Sequence, residues 1–219
     1  MTIHKETVSD LLWDTLIKLM QFKELDAFRL VGGTSLSLLL GHRISVDIDL
    51  FTDAEYKSID FDEIDSLFLA NFQFVDYCFG GNDSMGKSYL VGDNKDEVIK
   101  VDLFYTDPFQ YAILDYNGIR LSQLEEVVAM KLEIIGNNGR KKDFWDLHEL
   151  MESFTWDEML NFYEKRYPYS HTREEIINKL TDFKEADTDL DPICLKDKHW
   201  ELIKLDIEES VENYVGNSK

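Results

Sequence analysis

The period of the apolar positions changes several times along the first 120 residues, and each change marks an element. Over 6–21, Val8, Leu12, Leu16 and Leu19 recur at helical spacing, which predicts an amphipathic helix packed on a sheet. Phe28–Val31 reads as a short strand, and Leu36, Leu39 and Leu40 give 35–40 a buried helical face. Val46–Phe51 alternates strictly, which predicts a half-buried strand with Val46, Ile48 and Leu50 on one face and Asp47 and Asp49 on the other. Residues 60–71 read as a surface helix whose acids form the solvated side, and 73–79 as a strand. Glu97–Tyr105 alternates again, with Ile99, Val101 and Leu103 opposite Lys100, Asp102 and Phe104. A loop or short hairpin then runs to Arg120.

Beyond that point the period is helical. Ser122–Glu125 has the form of a capping box opening a helix to about Ile135, and Lys131 falls on its apolar stripe. A second helix follows Arg140, with Phe144, Leu147 and Met151 as packing positions and Asp143 and Asp146 sharing a face. Thr155–Glu158 and Thr172–Glu175 are two more capping boxes, and a last helix is expected near 197–214. The pattern is that of an α/β chain, divided into 1–118 and a helical 119–219, without repeats or long linkers.

Composition narrows the function. A hydrophobic content of 44% with 13% aromatics argues for a real core. Twenty-three basic against 44 acidic residues leave a net charge of −21, unsuited to general nucleic-acid binding and first of all a solubility feature. Such acidity also suits a cationic small molecule, a basic protein or a metal. One basic–aromatic cluster, Lys165, Arg166 and Arg173 with Tyr163, Tyr167 and Tyr169, reads as a helix-end surface ahead of an RNA-docking patch. Cys78 and Cys194 lack metal spacing and point to a reducing, cytoplasmic setting, and no apolar run approaches membrane-spanning length.

The chemistry concentrates in Gly32–Phe51, GGTSLSLLLGHRISVDIDLF. Two carboxylates one residue apart on a strand, about 7 Å apart at Cα, can converge on hard cations. Gly32 and Gly33 let backbone approach a ligand, and Thr34 reads as the N-cap of a helix whose free amides suit phosphate. Either half alone is as well explained by a turn or a solvated strand face; together they point to phosphoryl or nucleotidyl transfer. His42 and Arg43, at the helix end, are explained by the dipole there, His42 as a cap or core partner. Gly81–Ser88 matches G-x-x-x-x-G-K-S, but the extended segment after it argues for hairpin loops instead of a P-loop.

The Gly-Gly followed by Asp-x-Asp resembles the nucleotidyltransferase superfamily signature. His42-Arg43-x-Ser45-x-Asp47-x-Asp49, with Arg140-x-Lys142-Asp143-x-x-Asp146-Leu147 further on, is similar to the AbiEii/AbiGii toxin family, over roughly 28–151. The resemblance implies a mixed sheet flanked by helices, with the helical region completing a nucleotide cleft. It implies Asp47, Asp49 and Asp102 as ligands of two Mg²⁺ ions, with Asp102 also the general base toward an acceptor hydroxyl. Gly32, Gly33, Thr34 and Ser35 become a phosphate cradle, Lys131 a triphosphate ligand, and Asp146 a catalytic acid supporting it. Arg43, Ser45, Arg140, Lys142 and Asp143 complete the nucleotide site. The implied reaction moves an NMP from an NTP to an acceptor, with tRNA the first candidate, in a toxin–antitoxin or phage-defence setting with a cognate antitoxin. Two alternatives stand beside it: transfer to a cationic, aminoglycoside-like small molecule, and a non-catalytic nucleotide- or partner-binding relative.

Overall fold

A computed structural model describes residues 2–217. The chain divides into two compact units, one comprising residues up to Leu39 plus Ser45–Gln123, the other Leu40–Ile44 plus the chain from Leu124 onward.

The first unit is built on seven strands: β1 (Arg29–Leu30), β2 (Asp47–Thr52), β3 (Phe74–Gly80), β4 (Gly86–Asn94), β5 (Glu97–Tyr105), β6 (Leu114–Tyr116) and β7 (Ile119–Leu121), in the order β3-β4-β5-β2-β1-β7-β6. The pairs β2–β5 and β1–β7 are parallel and the others antiparallel, so the sheet is mixed as the resemblance implies. Helices α1 (Asp10–Leu19), α2 (Gly32–Leu40) and α3 (Phe61–Asn71) accompany it. Leu12, Leu16 and Leu19 of α1, Ile64 and Phe68 of α3, and Leu50, Tyr89, Val101 and Leu103 of the strands share one core cluster. Each fully buried leucine of this kind contributes roughly 1.5–3 kcal/mol.

The alternation of β5 holds throughout, and that of β2 holds from Asp47 onward. Val46 departs from it: it precedes the strand and is 64% exposed, so Ile48, Leu50 and Thr52 carry the buried face. The expected N-terminal helix is shorter, because Ser9 caps α1 by accepting from Leu12 N. Gly86, Lys87 and Ser88 lie within β4, paired with β3 and β5, so the P-loop-like string is a β-hairpin. Asn117 and Gly118, both at positive φ (51° and 86°), turn β6 into β7. Because β7 pairs with β1, residues 119–121 belong to the sheet and the first unit continues to Gln123.

The second unit contains α4 (Leu124–Gly136), α5 (Lys141–Leu150), α6 (Trp156–Arg166), α7 (Arg173–Lys179) and α8 (Trp200–Asn217). Leu40–Ile44 joins it through Ile44 N to Ile193 O and Leu195 N to His42 O, both 2.9 Å. The boxes at Thr155 and Thr172 form as expected. The box at Ser122 does not: its hydroxyl is buried without a hydrogen bond, while its N–H bonds Leu30 O. Half of the basic–aromatic cluster, Arg166, Arg173 and Tyr163, is held in structural contacts, while Tyr169 is 99% exposed. Arg166 is buried against Glu126 at 2.5 Å, Arg173 bonds Glu164, Asp157 and Asn161, and Tyr163 is buried with its hydroxyl on Glu133. No described helix is long and apolar enough to cross a membrane.

Candidate active site

In the sheet unit the carboxylates are assembled by strand register. Asp47 stands opposite Lys100, and Asp49 opposite Asp102, on the parallel neighbours β2 and β5. Cross-strand partners point to the same face about 4.8 Å apart, so three acids and one lysine share a small area. Lys100 Nζ donates to Asp102 Oδ2 at 2.5 Å. Burial alone pulls the Lys100 ammonium down, but the bond to Asp102 and the charges of Asp102, Asp47 and Asp49 outweigh it and raise its pKa. The other oxygen, Asp102 Oδ1, is buried with no hydrogen-bond partner.

The glycine pair is used more tightly than a flexible turn requires. Gly32 begins α2 at φ +68°, a conformation that favours glycine, and a Cβ there would overlap Asp49 Oδ2. Because α2 starts at Gly32, Thr34 lies inside the helix and is not its N-cap. Its hydroxyl bridges Ser45 Oγ at 2.8 Å and the carbonyl of Asp47, pinning the entry to β2. The Ser35 hydroxyl is fully buried and unpartnered. What this end offers an anion is therefore backbone, the first amides of α2, with Gly33 half-exposed.

Among the described residues no group of three or more His, Cys, Asp or Glu stands in metal-ligand geometry. The donor set still suits a hard divalent cation: carboxylate oxygens only, on one face, one of them buried without a partner. Lys100 supplies the compensating charge.

In the helical unit a second cluster is fully buried. Asp146 receives His42 Nε2 at 2.7 Å, Arg43 Nε at 2.6 Å and Nη2 at 2.8 Å, and Lys131 Nζ at 2.7 Å. Lys131 also bonds Asp143 Oδ1 at 2.7 Å, and Asp143 Oδ2 accepts the Arg140 N–H at 3.0 Å. Two cations balance two anions, the condition for keeping charges inside a fold. Burial opposes ionisation of Asp146, but Lys131 and Arg43 outweigh it and hold the carboxyl well below its ordinary range. Burial also depresses Lys131, and Asp143 and Asp146 reverse that effect, so its pKa is raised. Lys131, on the apolar stripe of α4, is 3% exposed and clamped by both aspartates. Asp146 is fully enclosed by donors, which makes it an organiser of Arg43 and Lys131.

Lys142 differs from its neighbours. It is half-buried and has no hydrogen bond or ion pair among the described residues, and burial, Arg140 and Lys131 lower its pKa. Arg140 keeps a largely exposed guanidinium. Sequence reasoning missed one participant, Lys100, and gave His42 only a structural part. His42, read as a cap or core partner, is completely buried on Asp146. Lys100 had a signal, because the alternation of β5 already places it on the face of Asp102.

The fold thus brings an Asp-x-Asp strand beside a third aspartate on a mixed sheet, after a helix opened by paired glycines. Solved structures agree on the fold. A Helicobacter pylori protein provisionally designated a nucleotidyltransferase superposes with a TM-score of 0.59 at 20% identity, covering 95% of this chain and 94% of that one. The MenT4 nucleotidyltransferase toxin of Mycobacterium tuberculosis H37Rv gives 0.58 at 13% identity, over 92% and 83%. The chain belongs to the AbiEii nucleotidyl transferase toxin family of type IV toxin–antitoxin systems, whose model matches residues 15–215. A relative from Aquifex aeolicus (strain VF5), itself uncharacterised, is 27% identical over 209 residues, 87% of this chain and 89% of that protein. The protein is a nucleotidyltransferase.

Proposed function

We propose that the protein transfers a nucleoside monophosphate from an NTP to the hydroxyl end of an RNA, with tRNA the first candidate, as the cytoplasmic toxin of a toxin–antitoxin or phage-defence pair. The observation that carries this reading is the register of Asp49 on Asp102 with Asp47 two residues before. Asp47, Asp49 and Asp102 would hold Mg²⁺, which supplies charge neutralisation at the phosphates when bound. Asp102, through its unpartnered Oδ1, accepts the proton as the acceptor oxygen bonds to the α-phosphorus and the bond to pyrophosphate breaks.

The first amides of α2, at Gly32, Gly33, Thr34 and Ser35, cradle phosphate, with Ser45 holding Thr34 in place. In the helical unit Lys142 and Arg140 are the cations suited to phosphate oxygens. Lys131 reaches a triphosphate only by exchanging part of its aspartate shell, and Asp143, Asp146 and Arg43 set its position.

The test is incubation of the protein with each radiolabelled NTP, Mg²⁺ and total bacterial tRNA, beside an Asp47→Ala, Asp49→Ala variant. Label should enter tRNA with the wild type only. A second reading, transfer to an aminoglycoside-like cation, is favoured by the net charge of −21. Label entering an aminoglycoside and no RNA would replace the first reading by the second. NTP binding without transfer to either would leave a nucleotide-binding relative.

A further inference from the structure

The carboxylate face of the sheet continues into a row of aromatic rings. Two residues beyond Asp49 and Asp102, Phe51 and Phe104 are again cross-strand partners, with ring centroids 6.1 Å apart. Phe79 of β3 extends the row, its ring within 12° of parallel to Phe104 at 6.5 Å. Gly86 stands opposite Phe104 in β4, and the Phe104 ring occupies the space that a side chain there would take, which lets it lie parallel to Phe79. At the other end Arg29 pairs with Phe51, its guanidinium 3.7 Å over the Phe109 ring.

Core packing does not account for this row. Phe79 is 62% exposed on the sheet's edge strand, where apolar side chains are a liability that proteins ordinarily avoid. The row also has a direction. Gly32 and the start of α2 press on Asp49, placing the phosphate-binding amides toward β1. The parallel Phe104–Phe79 pair lies on the opposite side, beyond Asp102, the acid assigned to the acceptor hydroxyl. Two residues along a strand span about 7 Å, comparable to the separation of a nucleoside's 3′ hydroxyl from its own base.

The geometry points to Phe104 and Phe79 as a stacking platform for the terminal base of a single-stranded nucleic-acid acceptor, one strand step from the carboxylates. Ring faces hold any base without reading it, which suits the unpaired end of a single strand. This rests on the nucleotidyl-transfer reading and adds to it where the acceptor's base sits.

The test uses the full chain and a fluorescein-labelled RNA hairpin with an unpaired 3′ tail, beside the same hairpin whose last nucleotide is abasic. The Phe79→Ala, Phe104→Leu variant should bind the intact tail about tenfold more weakly, bind the abasic tail as the wild type does, and keep its affinity for a non-hydrolysable NTP. Phe79→Ala alone, with unchanged thermal unfolding, should show part of the same intact-tail loss, which misfolding cannot explain, and Phe79→Trp should keep the wild-type affinity. Equal losses on both hairpins, or a loss of NTP affinity instead, would overturn the platform. Labelling of tRNA by the wild type with no effect of the Phe79 and Phe104 changes would sink the platform and leave the transferase reading standing. A wild type that neither binds nor labels RNA would remove both the platform and the RNA acceptor.

Discussion

Asp49 and Asp102 face one another across parallel strands at one level of the sheet. Neither strand brings both acids, so the site exists only while β2 and β5 hold their register. Asp49→Asn and Asp102→Asn should each lower nucleotidyl transfer by on the order of 10²–10⁴-fold. Asp49→Asn should not lower the thermal midpoint in metal-free buffer, because it relieves repulsion among like charges, whereas Asp102→Asn, which gives up the Lys100 ion pair, should cost no more than about 1 kcal/mol. A matching fall in stability would assign these acids to the scaffold.

Lys100 competes with any cation for Asp102. Lys100→Gln should tighten Mn²⁺ binding, followed by electron paramagnetic resonance, by roughly two- to fivefold, the worth of a partly exposed ion pair. It should also destabilise the metal-free protein. Weaker Mn²⁺ binding would show that the ammonium helps build the site.

The Asp146 cluster predicts an acid limit to stability. The folded pKa of Asp146 lies well below its unfolded value of about 3.9. Its contribution is therefore complete above about pH 4 and is lost as pH falls toward the folded pKa, because the unfolded chain binds the extra proton. Urea unfolding of the wild type should weaken steeply below about pH 4, and Asp146→Asn should flatten that slope. Asp146→Ala, which takes the buried carboxylate from Arg43 and leaves Lys131 only Asp143, should cost roughly 3–5 kcal/mol at neutral pH.

Gly32→Ala combines a positive-φ penalty with overlap on Asp49 Oδ2. The backbone cost is about 1–2 kcal/mol, visible as a lowered midpoint, and activity should fall further because Asp49 must move. A variant with wild-type activity would separate Asp49 from the chemistry.

Lys142 is a half-buried cation without an ion pair, and its lowered pKa means that its charge costs stability at neutral pH. Lys142→Met should raise the unfolding midpoint while raising KM for the NTP about tenfold, the scale of one charge-assisted phosphate contact. A stabilised variant with unchanged KM would place Lys142 outside the nucleotide site.

Much of the site is legible in the order of residues alone. Period-2 alternation in β2 and β5 is a local property of the backbone, so it assigns Asp47, Asp49 and Asp102 to polar faces without knowledge of the pairing. Capping at Thr155 and Thr172 is equally local and forms as expected. Thr34 and Ser122 mislead because tertiary contacts, of the Thr34 hydroxyl and of the Ser122 backbone, take each residue away from the cap that it would otherwise form. Thr34 finds Ser45 and the Asp47 carbonyl, and Ser122 is drawn to β1 through its backbone.

The linear order of residues thus determined the chemistry available to this protein: an acid pair on a strand, a third acid on another, a glycine-opened helix and a lysine on an apolar stripe. Tertiary structure decided which of these meet. Register set Asp49 on Asp102 and aligned Phe51, Phe104 and Phe79 beside them. The return of Leu40–Ile44 to the helical unit closed His42 and Arg43 on Asp146 and buried Lys131. The physical reason is range: side-chain direction follows from neighbouring backbone dihedrals, whereas strand pairing and buried charge balance depend on residues far apart in the chain.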